Sequence, residues 1–269
     1  MAAFKKMVLL AGLPRTGSTL LSNILAQNSN IHIESNSALC QVMWDTKISC
    51  EENASEQLKG AGKHLSFKKS LLKSIPKIYY PDAENKVVFD KCRPWVNQFN
   101  INMARNYIDQ NIRSIVMVRP MEEVVASYAR IYLKNNGETP YEKILTHGNH
   151  LLMASFAATL EAAKTKDPSF LFVSYDELIK NTQEVLKKIY IHIGENQFIH
   201  NTQKIDQVVL ENDEANNMKG MHDIRSKIQR QFNPVVLPDW VMKRCKDLTK
   251  VLYSELNCNL SKDRGSSHA

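Results

Sequence analysis

The sequence has no apolar run approaching the roughly 18 residues that a membrane-spanning helix requires. Its hydrophobic opening, Met7 to Leu13, is about half that long and is closed by Pro14-Arg15. It is also too short for a secretory signal segment, so it reads as an N-terminal core strand. Cysteine is sparse and unpatterned: Cys40, Cys50, Cys92, Cys245 and Cys258 make an odd number, widely spaced, with no C-x-x-C pair. That excludes a cysteine zinc site or redox couple and points to a reduced, cytoplasmic protein. His147, His150 and His222 lack metal-ligand spacing, so no metal is expected and these histidines receive no role. Aromatic residues are 8% of the chain, with no stacking array, which argues against a nucleic-acid surface. Internal repeats and low-complexity tracts are absent.

What is present is a chain of 269 residues, 43% hydrophobic, enough to bury a full core. One domain is expected, with its core over about residues 7–240 and a frayed tail at 261–269. The formal charge of +7 favours an anionic ligand without choosing among nucleotide, nucleic acid, acidic peptide or membrane surface.

Short β-branched runs alternate with longer stretches of three- and four-residue apolar spacing. That alternation predicts an α/β fold: a three-layer sandwich around a parallel sheet of about five strands. The predicted strands are Met7 to Ala11, Ile31 to Glu34, Lys86 to Phe89, Ser114 to Val118 and Phe170 to Ser174. The predicted helices are Ser18 to Gln27, Ser37 to Asp45, Ser66 to Ser74, Trp95 to Asp109, Met121 to Leu133, Tyr141 to Lys164 and Thr182 to Ile193. Cys50 to Gly62 and Glu211 to Gly220 read as surface loops.

The strongest local signal is Gly12-Leu13-Pro14-Arg15-Thr16-Gly17-Ser18-Thr19, which follows a strand and opens a helix. Such a loop converges backbone N–H groups and a helix dipole on one anion. Its spacing is that of the nucleotide-triphosphatase loop G-x-x-x-x-G-K-[ST], but Ser18 replaces the lysine that reaches the β- and γ-phosphates. ATP or GTP is therefore disfavoured as a phosphoryl donor. Arg15 supplies a different cation, a planar fork suited to phosphate or sulfate.

A second pattern lies about a hundred residues on. Val116-Met117-Val118-Arg119 ends a strand, and Ser127 follows eight residues after Arg119, two turns into a helix. Arginine and serine so placed can hold a phosphate together. With these two motifs the chain resembles the sulfotransferases that use 3′-phosphoadenosine-5′-phosphosulfate (PAPS), which share the P-loop NTPase-like fold. Pro14 to Thr19 looks like that family's 5′-phosphosulfate loop in the version found in tyrosylprotein and many bacterial members, and Arg119 with Ser127 like its 3′-phosphate pair. Phe172-Val173-Ser174-Tyr175-Asp176-Glu177-Leu178 is similar to the family's Y-E-D-L segment, which implies an adenine contact for Tyr175. Ile224-Arg225-Ser226-Lys227, with Pro234 to Trp240 beyond, resembles the loop that closes over the nucleotide.

The resemblance implies a sulfuryl transfer from PAPS to a hydroxyl-type acceptor, leaving 3′,5′-diphosphoadenosine (PAP). Arg15, Thr16, Gly17, Ser18, Thr19, Arg119, Ser127, Tyr175, Arg225 and Ser226 are the nucleotide-binding candidates. Glu34, nineteen residues after Arg15 at a strand end, is the expected general base, with His32 as its rival. Lys91 resembles the lysine at the bridging oxygen, and Arg93 shares that nomination. The acceptor can be tyrosine-like, a sugar or a small molecule; the segments expected to line its pocket, Ser35 to Leu72 and Tyr132 to His150, carry no readable code. Two alternatives stay open. Asp90, at the end of a Val-Val-Phe-Asp strand, resembles a magnesium-holding aspartate, so a divergent nucleotide kinase with Thr19 as second ligand fits the loop frame. A non-enzymatic basic nucleotide- or nucleic-acid-binding module is the other.

Overall fold

The computed structural model describes residues 4–146, 148, 150–230 and 235–256. Strand β1 (Lys6–Gly12) shows why the architecture has three layers. Met7, Leu9 and Ala11 enter one apolar core, whereas Val8 and Leu10 enter another on the opposite face. A strand whose two alternating faces are both buried must carry helices on both sides, and its sequence is then continuously hydrophobic.

The other strands are β2 (Ile31–Ile33), β3 (Val87–Lys91), β4 (Arg113–Val118) and β5 (Phe170–Ser174). They form one sheet in the order β2-β3-β1-β4-β5, every pair parallel. The face bearing Val8 and Leu10 is covered by α1 (Ser18–Leu25), α9 (Tyr175–Lys180) and α10 (Thr182–Ile193). The other is covered by α2 (Leu39–Ile48), α4 (His64–Tyr79), α5 (Gln98–Tyr107), α6 (Met121–Asn136), α7 (Tyr141–Thr146), α8 (Leu151–Thr165) and α11 (Asp239–Leu256). Helix α3 (Ser55–Gly60) lies between α2 and α4 in the chain.

The expected strands match to within two residues at each end. Among the helices, Tyr141 to Lys164 is two elements: His150 takes an extended conformation (φ −68°, ψ 136°) and its ring caps α8 by accepting from the Leu152 N–H. Cys50 to Gly62, read as a loop, carries a π-helical turn over Ser49–Asn53 and then α3. Glu51 is tied there by Lys47 at 2.6 Å and Lys68 at 3.0 Å. Polar helices held by side-chain pairs show no apolar period and so escape pattern reading. The helix expected from Trp95 to Asp109 starts later, because a 3₁₀ turn over Arg93–Val96 precedes it and the Asn97 side chain accepts from the Phe99 N–H. Helix α9 opens directly on β5: the Ser174 hydroxyl accepts from the Glu177 N–H at 3.3 Å, a capping pattern that puts Tyr175 in the first turn. Helix α11 was unforeseen although Val241, Cys245, Leu248 and Leu252 carry its period. The tail expected to fray at 261–269 lies outside the described residues, as do His147, Pro234 and Cys258.

Candidate active site

All five parallel strands end on the same edge of the sheet, and the loop from β1 to α1 sits at its centre. Gly12 makes the turn with φ 117°, where an added Cβ would collide with the Met117 backbone. The Leu13 N–H donates to the Met117 carbonyl at 3.1 Å, fixing the loop to β4. Within the loop, the fully buried Thr16 donates its hydroxyl to the Leu13 carbonyl at 2.6 Å. Its side chain is therefore spent on loop shape. Arg15 adopts φ 61°, unusual for a residue with a Cβ, and Gly17 has φ 86°. A Cβ on Gly17 would lie 2.7 Å from Cδ2 of Tyr175, so loop and tyrosine ring are in direct contact. No side chain among the described residues caps α1, and its first turn, Ser18 and Thr19, lines the cleft.

Four of the expected residues converge here from distant parts of the chain. The Arg15 Nε donates to the Ser127 hydroxyl at 3.1 Å, and its Nη1 donates to the Met221 carbonyl. Burial pulls the Arg15 pKa down to about 10, which leaves it charged at neutral pH. Arg119, at the end of β4, donates from Nη1 to the Arg15 carbonyl at 3.2 Å and from Nε to Glu123 at 3.0 Å. Its guanidinium lies 4.1 Å from the centroid of Tyr175. Tyr175 is thus held between Gly17 and Arg119, with one ring face committed to a cation.

Strand β3 separates two neighbouring charges by the alternation of its faces. Lys91 points toward α1 and donates to the Thr19 hydroxyl at 3.2 Å. It also pairs with Glu211, and burial lowers its pKa while that carboxylate pushes it back up. Asp90 points the other way and is fully buried, accepting from Tyr80 Oη at 2.6 Å and Trp95 Nε1 at 2.5 Å. Burial pushes its pKa up. A magnesium-holding aspartate must face the phosphate loop, and Asp90 faces the opposite core, so the kinase reading loses its metal ligand.

A long segment, residues 194–230, crosses the strand ends and roofs the site, with a 3₁₀ turn at Asp213–Asn216. Asn23 on α1 pins it: its Oδ1 accepts from the Val208 and Val209 N–H groups at 2.6 and 2.8 Å. Glu211 to Gly220, read from sequence as a surface loop, is therefore part of the site. Glu211 joins Lys91 to Asn36 Nδ2 (2.5 Å) and His222 Nε2 (3.2 Å). His222 bonds through Nδ1 to Asp213, and burial lowers its pKa although both carboxylates oppose the shift. Burial pushes the Asp213 pKa up, but the bonds and charge of His222 outweigh it and bring it down.

The main cleft is lined by Arg15, Gly17, Ser18, Thr19, Lys91, Arg93, Arg119, Ser127, Tyr175, His222, Arg225 and Lys227 among others. A second cavity of about 390 Å³ adjoins it, walled by Tyr128, Tyr132, Leu151, Met218 and Met221. Asn36, Arg93, Met221 and His222 line both. Of the described residues in the acceptor segments expected from sequence, only Ser35, Asn36, Tyr132 and His150 line this cavity.

Some expected residues are placed elsewhere. Glu34 lies past the end of the three-residue edge strand β2, is more than half exposed, and bonds to His32 Nε2 at 2.8 Å. Neither lines either cavity. Ser226 is exposed, and its carbonyl accepts from the Ile205 N–H at 2.7 Å while Arg225 and Lys227 face the cleft. The residues that sequence reasoning missed, Asn23, Asn36, Glu211, Asp213 and His222, share no spacing rule. Only the position of His222 two residues before Ile224-Arg225 placed it near a closing loop.

A five-stranded parallel sheet with a glycine-turned anion loop after its first strand is the P-loop NTPase-like class of α/β fold. The chain belongs to the sulfotransferase domain family, whose pattern covers residues 5–246. Among curated proteins none matches. Solved structures that share the fold include the sulfotransferase domain of the Synechococcus PCC 7002 olefin synthase, at 16% identity and TM-score 0.58, with 93% of this chain and 95% of that one covered. The sulfotransferase domain of the curacin biosynthetic pathway is also 16% identical, with TM-score 0.55 and coverage of 96% and 99%. Mouse sulfotransferase SULT7A1, crystallised with PAP, is 14% identical, with TM-score 0.52 and coverage of 95% and 86%. No helix among the described residues is long and apolar enough to cross a membrane.

Proposed function

We propose that this protein transfers a sulfuryl group from PAPS to a hydroxyl-type acceptor. The observation that carries the reading is the meeting of a lysine-free anion loop with Arg119 and Ser127, residues more than a hundred positions away, around one cleft. The residues fit a bis-anionic adenosine nucleotide. The uncapped start of α1, Ser18, Thr19 and Arg15 would hold the 5′-phosphosulfate; Arg119 and Ser127 would hold the 3′-phosphate, with Arg15 released from Ser127; Tyr175 would flank the base. Arg225 and Lys227, from the roofing segment, add positive charge above the nucleotide. The bound donor supplies an activated sulfuryl group with a good leaving phosphate. Lys91 stabilises charge on that phosphate, and Arg15 and Arg93 add to the field. The acceptor enters through the second cavity, which meets the cleft at Arg93 and His222. The free thiols Cys40, Cys50, Cys92 and Cys245 accord with a reducing, cytoplasmic setting.

Calorimetric titration without metal, using PAP and in parallel ATP with Mg²⁺, tests this reading. Micromolar binding of PAP and none of ATP is the expected result. ATP binding without PAP binding would refute it.

A further inference from the structure

Resting on the sulfuryl-transfer reading, we propose that His222, positioned by Asp213, is the group that takes the acceptor's proton. Three observations converge on it. Among the described residues, His222 is the only ionisable side chain besides Arg93 that lines both the nucleotide cleft and the adjoining cavity. Its ring is fixed on one side, because Asp213 meets Nδ1 with one carboxylate oxygen and accepts the His222 backbone N–H with the other at 2.8 Å. Once Glu211 has moved off Nε2, an Nδ1–H held in this way leaves Nε2 as the basic nitrogen, the relation by which a carboxylate sets the tautomer of a catalytic imidazole. Finally, Nε2 looks toward Lys91 across a single carboxylate: Glu211 reaches Lys91 with Oε1 and His222 Nε2 with Oε2 at 3.2 Å.

That interval is where the chemistry has to take place. The sulfur is drawn toward Lys91, and the acceptor oxygen must stand between sulfur and base. Glu211 must therefore withdraw when donor and acceptor bind, and its carboxylate marks the line along which the proton leaves. In the step, the acceptor O–H bond breaks and its proton goes to Nε2. The oxygen forms a bond to sulfur, and the bond from sulfur to the 5′-phosphate oxygen breaks, its electron pair leaving with PAP. The charged groups around the imidazole are Asp213 and Glu211 on its own segment, Lys91 on β3, Arg15 in the cleft lining and Arg93 in the lining of both cavities. Glu34 lines neither cavity and bonds to His32.

Two measurements test the assignment on the full chain. Nitrogen NMR of histidine-labelled protein saturated with PAP should show His222 at pH 7.5 as the neutral Nδ1–H tautomer, and Asp213→Asn should disturb that tautomer. An Nε2–H tautomer, or an imidazolium persisting from about pH 6 to 9, overturns the proposal whatever the acceptor is. PAP release from PAPS is then followed with water alone and with 2-naphthol, a tyrosine peptide and a sugar as hydroxyl probes. His222→Gln should slow the fastest of these by roughly 10²–10⁴, the range for a lost general base, with PAP affinity within about threefold. Asp213→Asn should slow it less and move the acid limb of the pH profile, while Glu34→Gln retains the rate. Full activity in His222→Gln, or loss confined to Glu34→Gln, refutes the proposal. Failure of the wild-type protein to bind PAP overturns instead the donor reading on which it rests.

Discussion

Replacing Arg119 with alanine separates a phosphate contact from a loop contact. Its guanidinium makes three interactions: with Glu123 at 3.0 Å, with the Arg15 carbonyl at 3.2 Å, and over the Tyr175 ring at 4.1 Å. Losing the first leaves no orphaned carboxylate, because Arg230 Nη2 donates to Glu123 at 2.6 Å. The bond to the Arg15 carbonyl supports the loop for any nucleotide, and a hydrogen bond of this kind is worth about 0.5–1.5 kcal/mol. Every 5′-nucleotide should therefore lose roughly 2- to 12-fold in affinity. A charge-assisted bond to a 3′-phosphate is worth about 1.5–3 kcal/mol more, which multiplies the loss for PAP alone by roughly 10- to 150-fold. Calorimetry of wild type and variant with PAP and with adenosine 5′-phosphate reads both numbers in one series. Equal losses for the two ligands would refute the placing of the 3′-phosphate on Arg119.

Two further substitutions probe the scaffold. Gly17→Ala forces a side chain into left-handed backbone and against Tyr175, so the left-handed penalty alone, about 1–2 kcal/mol, should lower Tm by roughly 2–8 °C and weaken PAP binding. Adding Tyr175→Ala should recover part of the Tm loss but not the affinity; purely additive effects would show that the ring and Gly17 are uncoupled. Asp90→Asn presents an N–H₂ to buried donors, at a cost of about 1–3 kcal/mol, and should lower Tm by roughly 2–12 °C while PAP affinity stays within about threefold. The reverse pattern, intact stability with lost nucleotide binding, would return Asp90 to the role of a metal ligand.

The parts of the site that were legible in the sequence are those whose chemistry is local. The anion loop was visible because glycine at residues 12 and 17, between an apolar strand and a helix, admits few other backbone paths. Arg119 and Ser127 were visible because a strand end and a second helical turn can be counted. Glu34 is read by the same counting, and the structure does not bring it to the lining of either cavity. A strand-end position says that a side chain is near the sheet edge, but β2 is an outer strand, and His32 on it pairs with Glu34 just past its end. The roofing segment has no period, so nothing in Glu211 to His222 announced that Glu211, Asp213 and His222 enter the site.

Strand number, parallel order of elements and the loop followed from the sequence alone, because alternating burial and turn chemistry act within a few residues. Only the tertiary structure decided that Lys91 faces α1 while Asp90 faces the opposite core, and that Glu211 and His222 arrive beside Lys91 from more than a hundred residues away. Such meetings depend on sheet order and on the anchoring of residues 208 and 209 by Asn23. Those are free-energy choices made between distant segments, which no short stretch of sequence records.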